Sequence, residues 1–330
     1  MARILKQNWF LFGLVGICLI TLADTTGTIA GMGNWIKSHS GADVVIFIIF
    51  VGSGLILKRE QIRAGFRDIR GTVISIVIIF LVAPLVALMI AQIPINPSVK
   101  IGLFLIAVMP TTMSSGVVMT GAAGGNMAHS LLITVLASSL SVVTVPFSLS
   151  ILVQSVDSVP METAKMIMQM CLLVLLPLII GLAFRPKRET LLSPIQKGIP
   201  VFNQCLILLM VWMGLSGAKG TVLSGGGQVL IIALLSVLFH AFLLAAAFAS
   251  IHLFRIPRGR MESIVFMGSQ KTLTLPVLLQ VKLFPQHGLA LVFCVFHHFI
   301  HLMMDGYLVG ILKKKKIVSI HKPTSDMESN

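Results

Sequence analysis

Ten apolar stretches follow one another along this chain, and almost every charged side chain falls between them. Each is close to the ~20 residues that a helix needs to cross a bilayer. They cover residues 8–24, 41–57, 71–93, 101–121, 127–153, 164–184, 200–217, 229–254, 261–283 and 288–312. Inside lipid, backbone N–H and C=O groups must pair within their own segment, so the stretches are predicted as helices. With 56% hydrophobic and 11% charged residues, the chain carries too much apolar surface for a water-soluble domain. The expected fold is an all-α polytopic membrane protein. Residues 1–312 form one ten-span domain and 313–330 a basic, polar cytoplasmic tail. The opening "MARILKQ" and the run behind it lack an A-x-A cleavage pattern and read as a retained first span.

The charge distribution sets the orientation. With the N-terminus inside, 19 of the 25 Lys and Arg residues fall in inner segments. The outer segments hold only Lys37, Lys100, Lys165, Lys219 and Lys282. This asymmetry predicts an even number of spans with both termini cytoplasmic; the membrane is expected to be the inner membrane of a bacterium. The +14 formal charge is spread over short loops, so nucleic acid is not an expected partner. Arg63, Arg67 and Arg70 are placed to meet anionic membrane lipids. No feature marks an obligate protein partner. Cys18, Cys171, Cys205 and Cys294 lie in apolar runs, form no C-x-x-C pair, and read as small buried hydrophobes.

Ten spans divide five and five, about 1–157 and 158–312. An odd number per half inverts the second half relative to the first, a plan of many secondary transporters. The fourth span, "IGLFLIAVMPTTMSSGVVMTGAAGG", is broken by Pro110 and a polar patch. Its counterpart, the ninth, carries "MGSQKTLTLP". Corresponding interrupted spans in the two halves point to a transport site.

Lys271 is the one basic residue left in mid-span. It lies roughly 15 Å from the inner end of its helix, near the bilayer midplane. An unpaired ammonium there costs at least about 3 kcal/mol, so it must face protein or water. His297, His301 and Asp305 recur at four-residue spacing on one face of the tenth span. With His240 of the eighth span they are candidate partners of the lysine or a proton relay. The breaks supply the candidate substrate- or ion-binding residues: Thr111, Thr112, Ser114 and Ser115, then Asn126, Ser130 and Thr134, and in the ninth span Ser269, Gln270, Lys271 and Thr272. Helix breaks expose carbonyls and amides that hold ions. There is no H-E-x-x-H, Walker loop or nucleophile elbow, so neither an enzyme nor a cofactor is expected. No metal site is expected either, although the tenth-span stripe leaves zinc open.

Together, "MPTTMSSGVVMTGAAGGN", Ser130, Thr134 and "GSQKTLTLP" resemble the bile acid:sodium symporter superfamily over essentially the whole chain. The likeness is closest to the solute carrier family 10 member 7-like branch and its bacterial relatives. The resemblance implies ten helices as two inverted five-helix repeats. The discontinuous fourth and ninth helices cross in a core domain, and a panel domain moves against it. It also implies Na⁺ sites behind the crossover, with Ser130, Thr134 and Gln270 at polar ligand positions. The chain departs from that pattern. Phe266 stands where typical symporters have a glutamate, Lys271 where they have an asparagine, and the third span has no mid-span glutamine. Losing an anion and gaining a cation weakens Na⁺ binding there.

The expected function is a secondary-active, symporter-like transporter of a small organic, anionic solute, working by alternating access with Na⁺ or H⁺ as coupling ion. Lys271 either stands in for one Na⁺ as a fixed cation or titrates in a proton-coupled cycle. The alternative is a membrane-embedded ligand-binding sensor or regulatory protein without transport.

Overall fold

The computed structural model describes residues 9–56, 69–112, 115–154, 164, 168–169, 171–186, 189–224 and 226–320. Ser114, Arg63, Arg67 and residues 321–330 lie outside the described residues. Among the described residues every regular element is a helix and none is a strand. Among the described residues six helical stretches are long and apolar enough to cross a membrane, which makes this an integral membrane protein.

α1 (Trp9–Ala23) turns by 110° into the short α2 (Thr28–Ser38), and α3 (Gly41–Ile56) follows. α2 occupies what the sequence presented only as a loop. Asp24 makes the turn: its carboxylate accepts the Gly27 and Ala30 N–H groups at the start of α2. Gly27 sits there at φ 73°, a left-handed backbone that glycine adopts without strain.

The third stretch is continuous but not uniform. α4 (Ile69–Val77) passes through a π-helical turn (Ile78–Val82) into α5 (Ala83–Ala91). The cause is Pro84, which has no N–H to give to the preceding turn. The fourth stretch is two half-helices, α6 (Pro97–Ala107) and α7 (Ser115–Ala122). α8 (Met127–Gln154) runs unbroken through Pro146. A second π-helical turn (Cys171–Leu175) leads into α9 (Leu176–Ala183), ahead of Pro177. α10 (Glu189–Ser224) and α11 (Gly226–Leu253) come next. α12 (Met261–Ser269) and α13 (Thr274–Leu283) are the two halves of the ninth stretch, and α14 (Gly288–Ile320) closes the chain. α14 carries Lys313–Lys316 on its last turns, past the Leu312 boundary read from the sequence.

The two broken stretches lie at the centre. Every residue from Ile101 to Thr112 is buried. Protein buries 89% of an 18-residue apolar stretch within Met261–Leu283 but only 33% of one within Gly226–Leu253. Polar groups are tolerated on the buried faces of the broken helices, which turn away from lipid, whereas α7 also carries the exposed Val118. α14 packs on α6, α10 and α11, while α12 packs on α11, α4 and α7.

At the periphery α3 crosses α9 with backbone against backbone. A Cβ on Gly181 would land on the Val51 carbonyl, and one on Gly54 on the Leu178 carbonyl. Close approach through small residues is how membrane helices pack without a hydrophobic drive. Gly181→Ala is expected to lower stability by about 1–3 kcal/mol, read as thermal unfolding in detergent. Gly198→Ala, whose Cβ meets nothing within 4 Å, does not lower the midpoint, because alanine is the better helix former.

Candidate substrate and ion site

Pro110 ends α6, because it offers no N–H and disfavours helix in the residue before it. In the ninth stretch Gln270 turns extended (φ −71°, ψ 147°) and ends α12. The helix resumes at Thr274, with Pro276 in its first turn, where a missing N–H is harmless. The two breaks touch: the Thr272 N–H donates to the Pro110 carbonyl at 3.0 Å.

Lys271 is fully buried at this crossing. Its ammonium donates to the carbonyls of Ile79 (2.8 Å), Ala107 (2.9 Å) and Met109 (2.9 Å). None of the acceptors is a carboxylate. Asp305 bonds other groups.

Those other groups form a chain through the core. The Gln270 amide nitrogen donates to Asp305 Oδ2 at 2.7 Å, and Asp305 Oδ1 lies 3.0 Å from His240 Nε2. The Gln270 amide oxygen accepts from Thr112 (2.7 Å) and Ser115 (3.0 Å). The fourth-span break is thereby joined to α11 and α14 by buried side chains alone. His240, His297, His298 and His301 cluster at the far end. The His240 and His301 ring centroids are 5.6 Å apart, and those of His298 and His301 4.8 Å. His301 Nδ1 donates to the His297 carbonyl. This leaves His301 Nε2, and likewise His240 Nδ1, buried without a hydrogen-bond partner among the described residues. The His240 nitrogen belongs to the hydrogen-bonded chain, and His301 adjoins it through ring packing.

A third group is made of oxygens. Ser130 Oγ donates to Thr120 Oγ1 (2.9 Å). Thr134 Oγ1 donates to the Ser130 carbonyl (3.0 Å) and lies 3.4 Å from the Thr112 carbonyl. This places α8 hydroxyls beside the fourth-span break.

The structure thus gathers Thr112, Ser115, Gln270, Lys271, Asp305 and His240 at the crossing, with His297 and His301 behind them and Ser130 and Thr134 to one side. Other candidates do local work. Asn126 caps α8 by accepting from Ala128 and His129 N–H. Ser269 bonds back to the Val265 carbonyl in its own helix. Thr111 is buried with its hydroxyl unpartnered among the described residues, and Thr272 is half-buried.

Several polar groups went unread in the sequence. His129 bridges Thr72 (3.1 Å) and Ser263 (2.6 Å), tying α4, α8 and α12 together. Glu262 is fully buried, 3.1 Å from Arg258 Nε and accepting the Gly259 N–H at 2.8 Å. Arg258 also donates to the Leu312 carbonyl, latching α14 to the loop ahead of α12. The four-residue spacing of Arg258 and Glu262 was the available signal.

Comparison with known proteins gives this arrangement its context. A probable sodium/metabolite cotransporter BASS4, chloroplastic, of Arabidopsis thaliana is 29% identical over 84% of this chain and 67% of its own length. Sodium/bile acid cotransporter 7 of Danio rerio is 26% identical over 84% of this chain and 83% of its own. The Mus musculus protein of the same name is 24% identical over 97% and 98%. Residues 8–314, nearly the whole chain, match one family of transporters. The chain belongs to the SBF-like CPA transporter family.

Proposed function

We propose that the protein is a secondary-active transporter that moves a small organic anion by alternating access, binding it at the crossing of α6–α7 with α12–α13. The observation that carries this is the contact between two helix breaks at the buried centre, made by Thr272 and Pro110. Half-helices α7 and α13 flank that crossing; the Gly116 N–H of α7 is already held by Thr112 Oγ1, and the N-terminus of α13, the positive end of its dipole, favours an anion there. The relatives' names, cotransporters of sodium with a metabolite or bile acid, support an organic solute and a coupling ion.

The ten-span, N-inside plan of two inverted repeats belongs to this proposal. Helix is present in all ten apolar stretches, and the breaks fall in the fourth and the ninth. Two groups are placed to take the coupling ion. The hydroxyls of Thr120, Ser130 and Thr134 suit Na⁺. The His240 imidazole, linked to Gln270 through Asp305, suits H⁺, with His297 and His301 packed beside it.

The test is uptake of labelled organic anions into proteoliposomes under an imposed Na⁺ or H⁺ gradient. Uptake is expected under one of the two gradients and collapses when an ionophore dissipates it. If H⁺ is the driver, His240→Gln slows uptake and abolishes its pH response. Specific binding with no flux under either gradient would overturn transport in favour of a membrane-embedded sensor.

A further inference from the structure

The three carbonyls around Lys271 are not ordinary helix carbonyls. In the π-helical turn the Ala83 N–H bonds the Ile78 carbonyl, five residues back instead of four. In that register the donor for the Ile79 carbonyl would come from residue 84, which is Pro84 and has none. Ala107 and Met109 lie where α6 ends, and the last carbonyls of a helix lose their partners. The chain therefore presents three orphaned oxygens from two elements to one buried point, and Lys271 Nζ sits at that point, 2.8–2.9 Å from each.

The number of donors matters as much as the distances. An ammonium has three N–H donors and no acceptor, so three carbonyls satisfy it completely. A neutral amine would turn its lone pair toward one of those oxygens. No carboxylate is paired with Lys271 among the described residues, so its charge is met by backbone dipoles alone, as in a carbonyl-lined ion site. The titratable group that feels its charge is His297 of α14, while His298 bonds the Lys271 backbone; the π-helical turn between α4 and α5 and the end of α6 present backbone to it.

We propose that this cage is a monovalent-cation site whose cation is built into the chain: the Lys271 ammonium takes the place that a free Na⁺ or K⁺ fills when the lysine is removed. The cage then consumes no coupling ion, and an ion that drives transport acts at the hydroxyl cluster or the imidazoles. Only this consequence for coupling rests on the proposed transport function. The cage itself is read without flux.

The experiment is thermal unfolding of the purified full-length protein and of Lys271→Ala, in NaCl, KCl or choline chloride at one ionic strength. The wild-type midpoint is expected to be the same in all three salts. Lys271→Ala is expected to unfold lower in choline and to regain on the order of 3 °C in a small cation at about ten times its Kd. Lys271→Gln, whose amide can serve two of the three carbonyls, keeps the fold if the alanine variant does not form, and is expected to respond to the same cations more weakly, because its amide fills part of the cage. A folded variant indifferent to Na⁺ and K⁺ would overturn the proposal. A wild type that responds to them as strongly as the variants would do so too. Neither result bears on whether the protein transports.

Discussion

Asp305→Ala is expected to destabilise the protein by about 3–5 kcal/mol and to abolish ion-driven transport. The carboxylate is fully buried and makes one strong contact with each oxygen, Gln270 Nε2 at 2.7 Å and His240 Nε2 at 3.0 Å. Truncation leaves two buried N–H donors facing each other without an acceptor. An abandoned buried donor costs about 1–3 kcal/mol, and this truncation abandons two at once. Gln270 then loses the anchor that aims its oxygen at Thr112 and Ser115, so damage on α14 reaches the fourth-span break. Asp305→Asn keeps the shape and one acceptor oxygen. It is expected to lose less stability than the alanine variant but still to lose transport, because its amide N–H meets one of the two donors. Asp43→Ala is the contrast: that carboxylate pairs with Lys282 at a half-exposed site, where an ion pair is worth at most about 1 kcal/mol. Thermal unfolding and proteoliposome flux read both effects. Full flux in a folded Asp305→Ala protein would reduce the chain from Gln270 to His240 to packing.

What the sequence made legible was mostly side-chain chemistry placed by periodicity. The four-residue spacing of His297, His301 and Asp305 put them on one face, and the structure finds all three buried on the inner side of α14. The paired breaks at Pro110 and around Gln270 were visible as polar interruptions, and they touch. The partners of Lys271 were not legible. A lysine in an apolar span prompts a search for acids, but its acceptors are backbone carbonyls, which every residue type possesses. The trace available was Pro84. A proline inside a membrane helix withholds one N–H, so a carbonyl in the preceding turn needs another donor. Counting withheld donors alongside polar side chains would have pointed from the ninth span to the third. α2 escaped for a similar reason, since Asp24 and Gly27 act through backbone amides.

Gly116 is where the crossing tolerates least, and substitutions there are expected to give a steep, graded loss of transport. It begins α7 beside the break. A Cβ added there would lie 2.7 Å from Met267 Sδ, 3.1 Å from Gln270 Oε1 and 3.3 Å from Thr112 Oγ1. The Met267 thioether is flexible and can yield. Gln270 has less freedom, because its oxygen takes two hydroxyls while its nitrogen holds Asp305. Gly116→Ala is therefore expected to fold and to transport at a reduced rate, with Met267 moving aside. Gly116→Val adds two methyl groups that press on Gln270 and Thr112 together. It is expected to cost about 1–3 kcal/mol in overpacking and to push the two breaks apart. A misplacement of about 1 Å in a polar site lowers turnover on the order of 100-fold in enzymes, and a loss on that scale is expected in flux here. If crowding at Gln270 is the cause, Met267→Ala restores Gly116→Ala, by freeing the space the Cβ needs, but not Gly116→Val. Equal rescue of both would place the strain at Met267 and release Gln270 from the role given to it.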